Sequence, residues 1–312
     1  MRILYLGTPD FAVSPLQNLI NFAKNNEKVE IIGVVTNVDK PFGRKKVLTA
    51  CPVKQFALEN NLPVFSYEKI SKDGVEDLRK LNPDLMITCA YGHILSQEII
   101  DIAKYGIFNI HASLLPKYRG ASPIHSAILN GEEKTGVTIM KTELGIDTGD
   151  IILQQEVLID KNDTCGTLFE KLSIVGANLI IKAVENLING EISFTKQDES
   201  KATLTKMIKK EDALINFEKT PFEINNQIKA FNPAPVAFFT INGEPFKVYE
   251  AEESNGIGEV GKVIENDKYL EIACKNGSII IKKIQKSGGK AMPISDFLRG
   301  SKIEKGIIVN KW

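Results

Sequence analysis

Short, mainly apolar runs alternate with amphipathic stretches through the first 190 residues. The runs at 2–6, 30–36, 85–90 and 106–111 read as strands buried on both faces, because a parallel sheet covered by helices leaves no polar side to its strands. The stretch 11–24, entered through Thr8-Pro9-Asp10, has the period of a helix. A second helix starts at Cys51-Pro52, where proline suits the first turn. Runs at 137–140 and 151–159 read as strands on either side of a turn at 145–149. A long helical pattern over 164–187 closes this part, with Leu168, Leu172, Val175, Leu179 and Val184 at spacings of three to five.

The pattern changes after Asn189-Gly190. Residues 191–206 are polar and of zero net charge, as in a surface linker. Beyond them, short alternating runs are punctuated by Asn242-Gly243 and Asn276-Gly277, the strongest short-range hairpin signals. The expected fold is therefore α/β: a doubly wound, mostly parallel, Rossmann-like sheet over 1–190, a linker over 191–206, and an OB-like β-barrel over 207–312.

Candidate chemistry lies in two places. Asn109 and His111 stand two residues apart, so on a strand they share a face. Asp147 sits between Gly145 and Gly149. An amide that donates to an oxyanion, with an imidazole and a carboxylate to handle a proton, suits acyl transfer. Each residue alone also suits a structural role; Asp in a glycine turn is common for conformational reasons. His93 and His125 are weaker candidates, one for packing and one for a helix after Ser122-Pro123. No H-E-x-x-H pattern links the three histidines, so no metal is expected. The turn after the first strand reads Gly7-Thr8-Pro9-Asp10-Phe11 and lacks G-x-G-x-x-G, which argues against a nicotinamide dinucleotide.

Charge narrows the partners. Basic and acidic residues balance at 39 each, so any polyanion must be held by local clusters. One cluster is Lys40, Arg44, Lys45 and Lys46, in a loop over 39–49 that is long for a strand-to-helix connection. Another is Lys275, Lys282, Lys283, Lys286 and Lys290, in a stretch free of acidic residues from 272 to 295. Four scattered cysteines without a C-x-x-C pair fit a reduced, cytoplasmic protein. No run reaches the roughly 20 apolar residues of a membrane span.

These motifs carry a specific resemblance. Gly7-Thr8-Pro9-Asp10-Phe11, Asp39-Lys40-Pro41 with Gly43-Arg44, Pro52-Val53-Lys54, Ala90-Tyr91-Gly92, residues 109–120 and Asp147-Thr148-Gly149-Asp150 resemble, in order, the pattern of the methionyl-tRNA formyltransferases within the 10-formyltetrahydrofolate-dependent formyltransferase family. Phe231-Asn232-Pro233 with Pro235, and Gly289-Lys290-Ala291-Met292, resemble that family's C-terminal domain; Ala234 departs from it, since relatives often carry Trp there. The resemblance implies transfer of a formyl group from 10-formyltetrahydrofolate to initiator methionyl-tRNA, without a metal, by a monomer. It implies Asn109, His111 and Asp147 as catalytic residues. Tyr91, Gly92, Leu95, Ser113, Leu114, Leu115 and Pro116 are implied as folate-binding, and Lys40, Arg44, Lys45, Lys46, Lys282, Lys283, Lys286 and Lys290 as tRNA-binding. The alternatives are a formyltransferase acting on a small-molecule amine and a non-catalytic RNA-binding protein.

Overall fold

The computed structural model describes residues 1–43, 46–301 and 303–310. It divides into two units. One comprises Met1–Gly120, Thr135–Leu158 and Phe169–Thr205; the other comprises Ala121–Lys134, Ile159–Leu168 and Lys206–Trp312.

The strands of the first unit are β1 (Arg2–Gly7), β2 (Glu30–Asn37), β3 (Lys40–Phe42), β4 (Val47–Thr49), β5 (Val64–Tyr67), β6 (Leu85–Cys89), β7 (Ile107–His111), β8 (Arg119–Gly120), β9 (Lys134–Lys141), β10 (Ile151–Leu158) and β11 (Leu204–Thr205). Seven of them form one sheet in the order β10-β9-β7-β6-β1-β2-β5. From β7 to β5 every pairing is parallel, and β9 runs antiparallel to β7. Ile3, Leu4, Leu6, Leu85, Met86, Ile87, Ile107 and Phe108 are fully buried, which is why these strands read as continuous apolar runs. The chain leaves β1 first toward β2 and later toward β6, so a crevice opens at the carboxyl ends of β1 and β6, where doubly wound sheets bind ligands. Thr8 Oγ1 donates to the Tyr91 carbonyl (3.3 Å) across that crevice.

The helix Cys165–Asn189 buries Leu168, Leu172, Leu179 and Val184, while Val175 is half-buried. Gly176 lets it lie close to β7: a Cβ at that position falls 2.9 Å from the Ile110 side chain.

Two local readings need correction, and one strand went unread. The 39–49 loop is a ribbon in which β3 and β4 pair antiparallel, an alternation hidden by Pro41 and the charges around it. The edge strand β5, only four residues long and half-buried, has too weak a pattern to stand out. The 191–206 stretch is tied to the first unit. Thr195 pairs with Ile151, and β11 pairs with β8, so part of its backbone is spent on protein partners.

The second unit holds β12 (Phe238–Ile241), β13 (Glu244–Ser254), β14 (Val263–Glu265), β15 (Leu270–Cys274), β16 (Gly277–Lys286) and β17 (Met292–Pro293). They form an antiparallel sheet ordered β12-β13-β16-β15-β14, with β17 on β16. Asn242 and Asn276 sit at φ +50° and +61° in two of its hairpins, as Asn-Gly turns require. The C-terminal segment closes the sheet into a barrel. Val263 N–H donates to Ile307 O and Val309 N–H to Gly261 O (2.9 Å each) beside β14, while Asn310 N–H donates to Thr240 O (2.8 Å) on β12. Phe239, Phe246 and Phe297 pack in ring contact inside. Among the described residues no helix is long and apolar enough to cross a membrane.

Asn310 is the clasp of this closure: Oδ1 accepts from Thr240 N–H (2.8 Å), Nδ2 donates to Ile215 O (2.8 Å), and φ is +60°. Asn310→Ala leaves both backbone groups unpaired and strains the left-handed position. A loss of about 2–4 kcal/mol in chemical denaturation is expected; a change under about 0.5 kcal/mol contradicts the clasp.

Candidate active site

Asn109 and His111 both belong to β7, and the parallel register places Thr88 of β6 beside Asn109. Thr88 Oγ1 donates to Asn109 Oδ1 (2.9 Å). With its oxygen occupied, the amide presents its NH2 end to a ligand. His111 is 6% exposed, and Nε2 lies 2.9 Å from the Tyr118 carbonyl oxygen. A carbonyl can only accept, so Nε2 carries a hydrogen and donates it there, which leaves Nδ1 as the uncommitted nitrogen. Nδ1 faces Asp147 Oδ2 at 3.6 Å, and that oxygen accepts from Gly120 N–H at 2.7 Å. Asp147 and Tyr118 hold φ of +51° and +61°. Asp tolerates that conformation, whereas in a Tyr it is strain that the surroundings must impose.

Arg119 lies between these two anchors. Its buried guanidinium donates from Nε and Nη2 to Gln197 Oε1 (3.0 and 2.8 Å), and from Nη1 and Nη2 to the Glu199 carboxylate (2.9 and 2.6 Å). The hydrogen bonds from Arg119 hold the Glu199 carboxyl below its usual range. Gln197 Nε2 donates to the backbone oxygens of Asp147 (2.8 Å) and Gly149 (2.7 Å). Sequence reading missed Gln197 and Glu199, which fall in the stretch expected to be a linker.

A formyl transferase family model matches residues 1–184, and a formyl transferase C-terminal domain model matches 207–302. The chain belongs to the formyl transferase family. The methionyl-tRNA formyltransferase of Bacillus subtilis is 42% identical over 313 residues, covering 99% of this chain and 97% of its own. That of Lachnospira eligens is 40% identical over 320 residues, covering all of both. Among solved structures, an N-formyltransferase from Helicobacter canadensis in complex with folinic acid and dTDP-3-aminofucose matches with a TM-score of 0.68 at 27% identity, covering 91% of this chain and 98% of its own.

The residues expected to hold the formyl donor of this formyl transferase occupy two loops of the first unit. Ser113 is fully buried and spends its hydroxyl on the Lys117 carbonyl (2.6 Å), so it shapes its loop. Thr138 Oγ1 donates to Ser113 O (2.7 Å) and accepts from Leu115 N–H (3.1 Å); Gln154 Nε2 donates to Leu115 O (2.8 Å). Leu115 is buried, and Leu114 and Pro116 are half-buried. After β6, Tyr91 and Leu95 are buried while Gly92 is exposed at φ +82°, with open space where a Cβ would stand.

The basic residues divide. Lys40 and Lys46 are exposed on the β3–β4 ribbon; Arg44 and Lys45 lie outside the described residues. In the barrel, Lys282 pairs with Glu252 (2.8 Å) and Lys286 with Glu244 (3.3 Å), both acids on the neighbouring β13. The cluster read along the chain is thus offset by cross-strand carboxylates, which a one-dimensional count does not see. Lys283 Nζ sits 5.9 Å from the Tyr249 ring centre, and Lys290 is exposed.

His93 stacks on Tyr91 (5.0 Å between ring centres) and, with Asn37, Lys40, Tyr67 and Lys69, lines a cavity of about 330 Å³. Burial first, and then the Lys40 charge, lower its pKa below the ordinary 6.5. Its folded state therefore favours the neutral ring, and the stability this brings falls away as the pH drops below 6.5. A proton NMR titration should give a His93 midpoint below 6.5, raised only in part by Lys40→Met because burial is the larger cause. A midpoint at or above 6.5 contradicts this account.

Proposed function

We propose that this chain transfers the formyl group of 10-formyltetrahydrofolate to the α-amino group of methionine on initiator methionyl-tRNA. The observation that carries this reading is the similarity to methionyl-tRNA formyltransferases at 42% identity across 99% of the chain, barrel included. A folate donor is supported by the solved relative in complex with folinic acid and by the surfaces present here. Ile94, Leu144 and Ile146 are strongly exposed, and Gly92 leaves open backbone, which suits a flat heterocycle needing apolar cover and main-chain hydrogen bonds.

The folate supplies the formyl carbon, already activated for attack. The α-amino group, with an ordinary pKa near 8, is partly neutral at physiological pH and needs only modest help to attack. Asn109, its oxygen fixed by Thr88, aims N–H groups where the formyl oxygen takes on negative charge. As the amine bonds to the formyl carbon, the bond from that carbon to the folate nitrogen breaks; the proton lost by the amine is taken up between His111 Nδ1 and Asp147, which face one another at 3.6 Å, and is passed to the departing folate nitrogen, the carboxylate stabilising the transient imidazolium. Lys40 and Lys46 meet phosphates of the acceptor end, and Lys283 and Lys290 meet phosphates farther along the tRNA.

The test is formyl transfer to methionine-charged initiator tRNA, beside Asn109→Ala. The variant should lose about a hundredfold or more in kcat, with KM for either substrate changed by no more than about threefold. An unchanged kcat removes Asn109 from the chemistry. Formylation of amino sugars in place of tRNA moves the chain to the small-amine class.

A further inference from the structure

We propose that Gln197 is a positioning residue for this reaction: its carboxamide clamps the turn that carries Asp147 and so sets the distance from that carboxylate to His111. The inference rests on the formyl-transfer reading above and adds to it a group that touches no substrate.

Asp147 is half-buried in the turn between β9 and β10, at φ +51°, just after four exposed residues, 143–146. Beyond the Lys141 N–H to Asp150 O bond that closes the turn (2.9 Å), two described contacts hold Asp147 itself. Gly120 N–H binds the side chain, and Gln197 Nε2 binds the main-chain oxygens of Asp147 and Gly149 at 2.8 and 2.7 Å, spanning the turn. Gln197 has no freedom to turn its amide over, because Oε1 accepts two N–H groups from buried Arg119. Arg119 is locked in turn by the Glu199 carboxylate. Its chain neighbours hold the other partners: Tyr118 O binds His111 Nε2, and Gly120 N–H binds Asp147 Oδ2. Three consecutive residues thus fix the imidazole, the clamp and the carboxylate.

The chemistry of the position is selective. Only a carboxamide accepts from Arg119 and donates to two carbonyls at once. Glutamate has the same size and binds arginine better, but it turns a lone pair toward each carbonyl oxygen. A role confined to filling space or pairing Arg119 is therefore met by Glu, whereas the clamp is not.

The experiment compares parent, Gln197→Glu, Asp147→Ala and the double variant by single-turnover formyl transfer, with KM for both substrates and thermal melting. Gln197→Glu should cut the rate on the order of tenfold to a hundredfold, leave both KM values within about threefold, and have little further effect in the Asp147→Ala background. A parent-like rate for Gln197→Glu, or an equal loss in both backgrounds, overturns the proposal. If Gln197→Glu does not fold, Arg119→Lys carries the same test, since lysine has no fork to orient Gln197. A parent without transfer to tRNA refutes the functional reading instead, and is told apart by that alone.

Discussion

The site depends on one hydrogen bond from a ring nitrogen to a backbone oxygen. Because His111 Nε2 is committed to the Tyr118 carbonyl, the imidazole has a single nitrogen left uncommitted, and that nitrogen faces Asp147. Tyr118 adopts φ +61° where its carbonyl meets the ring. The strain is held by the ladder between β8 and β11, by Tyr118 N–H on Thr203 Oγ1 (2.8 Å), and by the Arg119 network. The chain thus spends conformational energy to orient an imidazole, which is how strain is usually placed at functional sites.

The sheet sets the remaining coordinates. Parallel pairing brings Thr88 level with Asn109, so a hydroxyl on one strand decides which end of an amide on the next faces the cleft. Close packing of the helix Cys165–Asn189 at Gly176 holds β7 from behind. A rigid strand presents Asn109 and His111, while Asp147 comes from a turn that needs its own restraints. Precision on the strand comes from the fold; precision in the turn has to be supplied by side chains.

Much of this was legible because periodicity survives in one dimension. Continuous apolar runs marked β1, β2, β6 and β7, Asn-Gly pairs marked two barrel hairpins, and the two-residue spacing put Asn109 and His111 on one face. What stayed hidden was carried by contacts with no local signature. The Tyr118 carbonyl is a backbone atom that any residue would supply. Gln197 and Glu199 sit in polar sequence that reads as solvated, yet their partner, Arg119, lies about 80 residues earlier and is buried. The barrel lysines look unopposed along β16 until β13 lays Glu244 and Glu252 beside them.

Nitrogen-15 NMR of the histidine-labelled protein addresses the central claim most directly, by reporting which ring nitrogen of His111 bears hydrogen in the neutral state. The account requires hydrogen on Nε2 and a lone pair on Nδ1, with the Nε2 proton protected by the Tyr118 carbonyl. A neutral ring with hydrogen on Nδ1 and a bare Nε2 contradicts it, because two lone pairs would then face one another between Nε2 and the Tyr118 carbonyl.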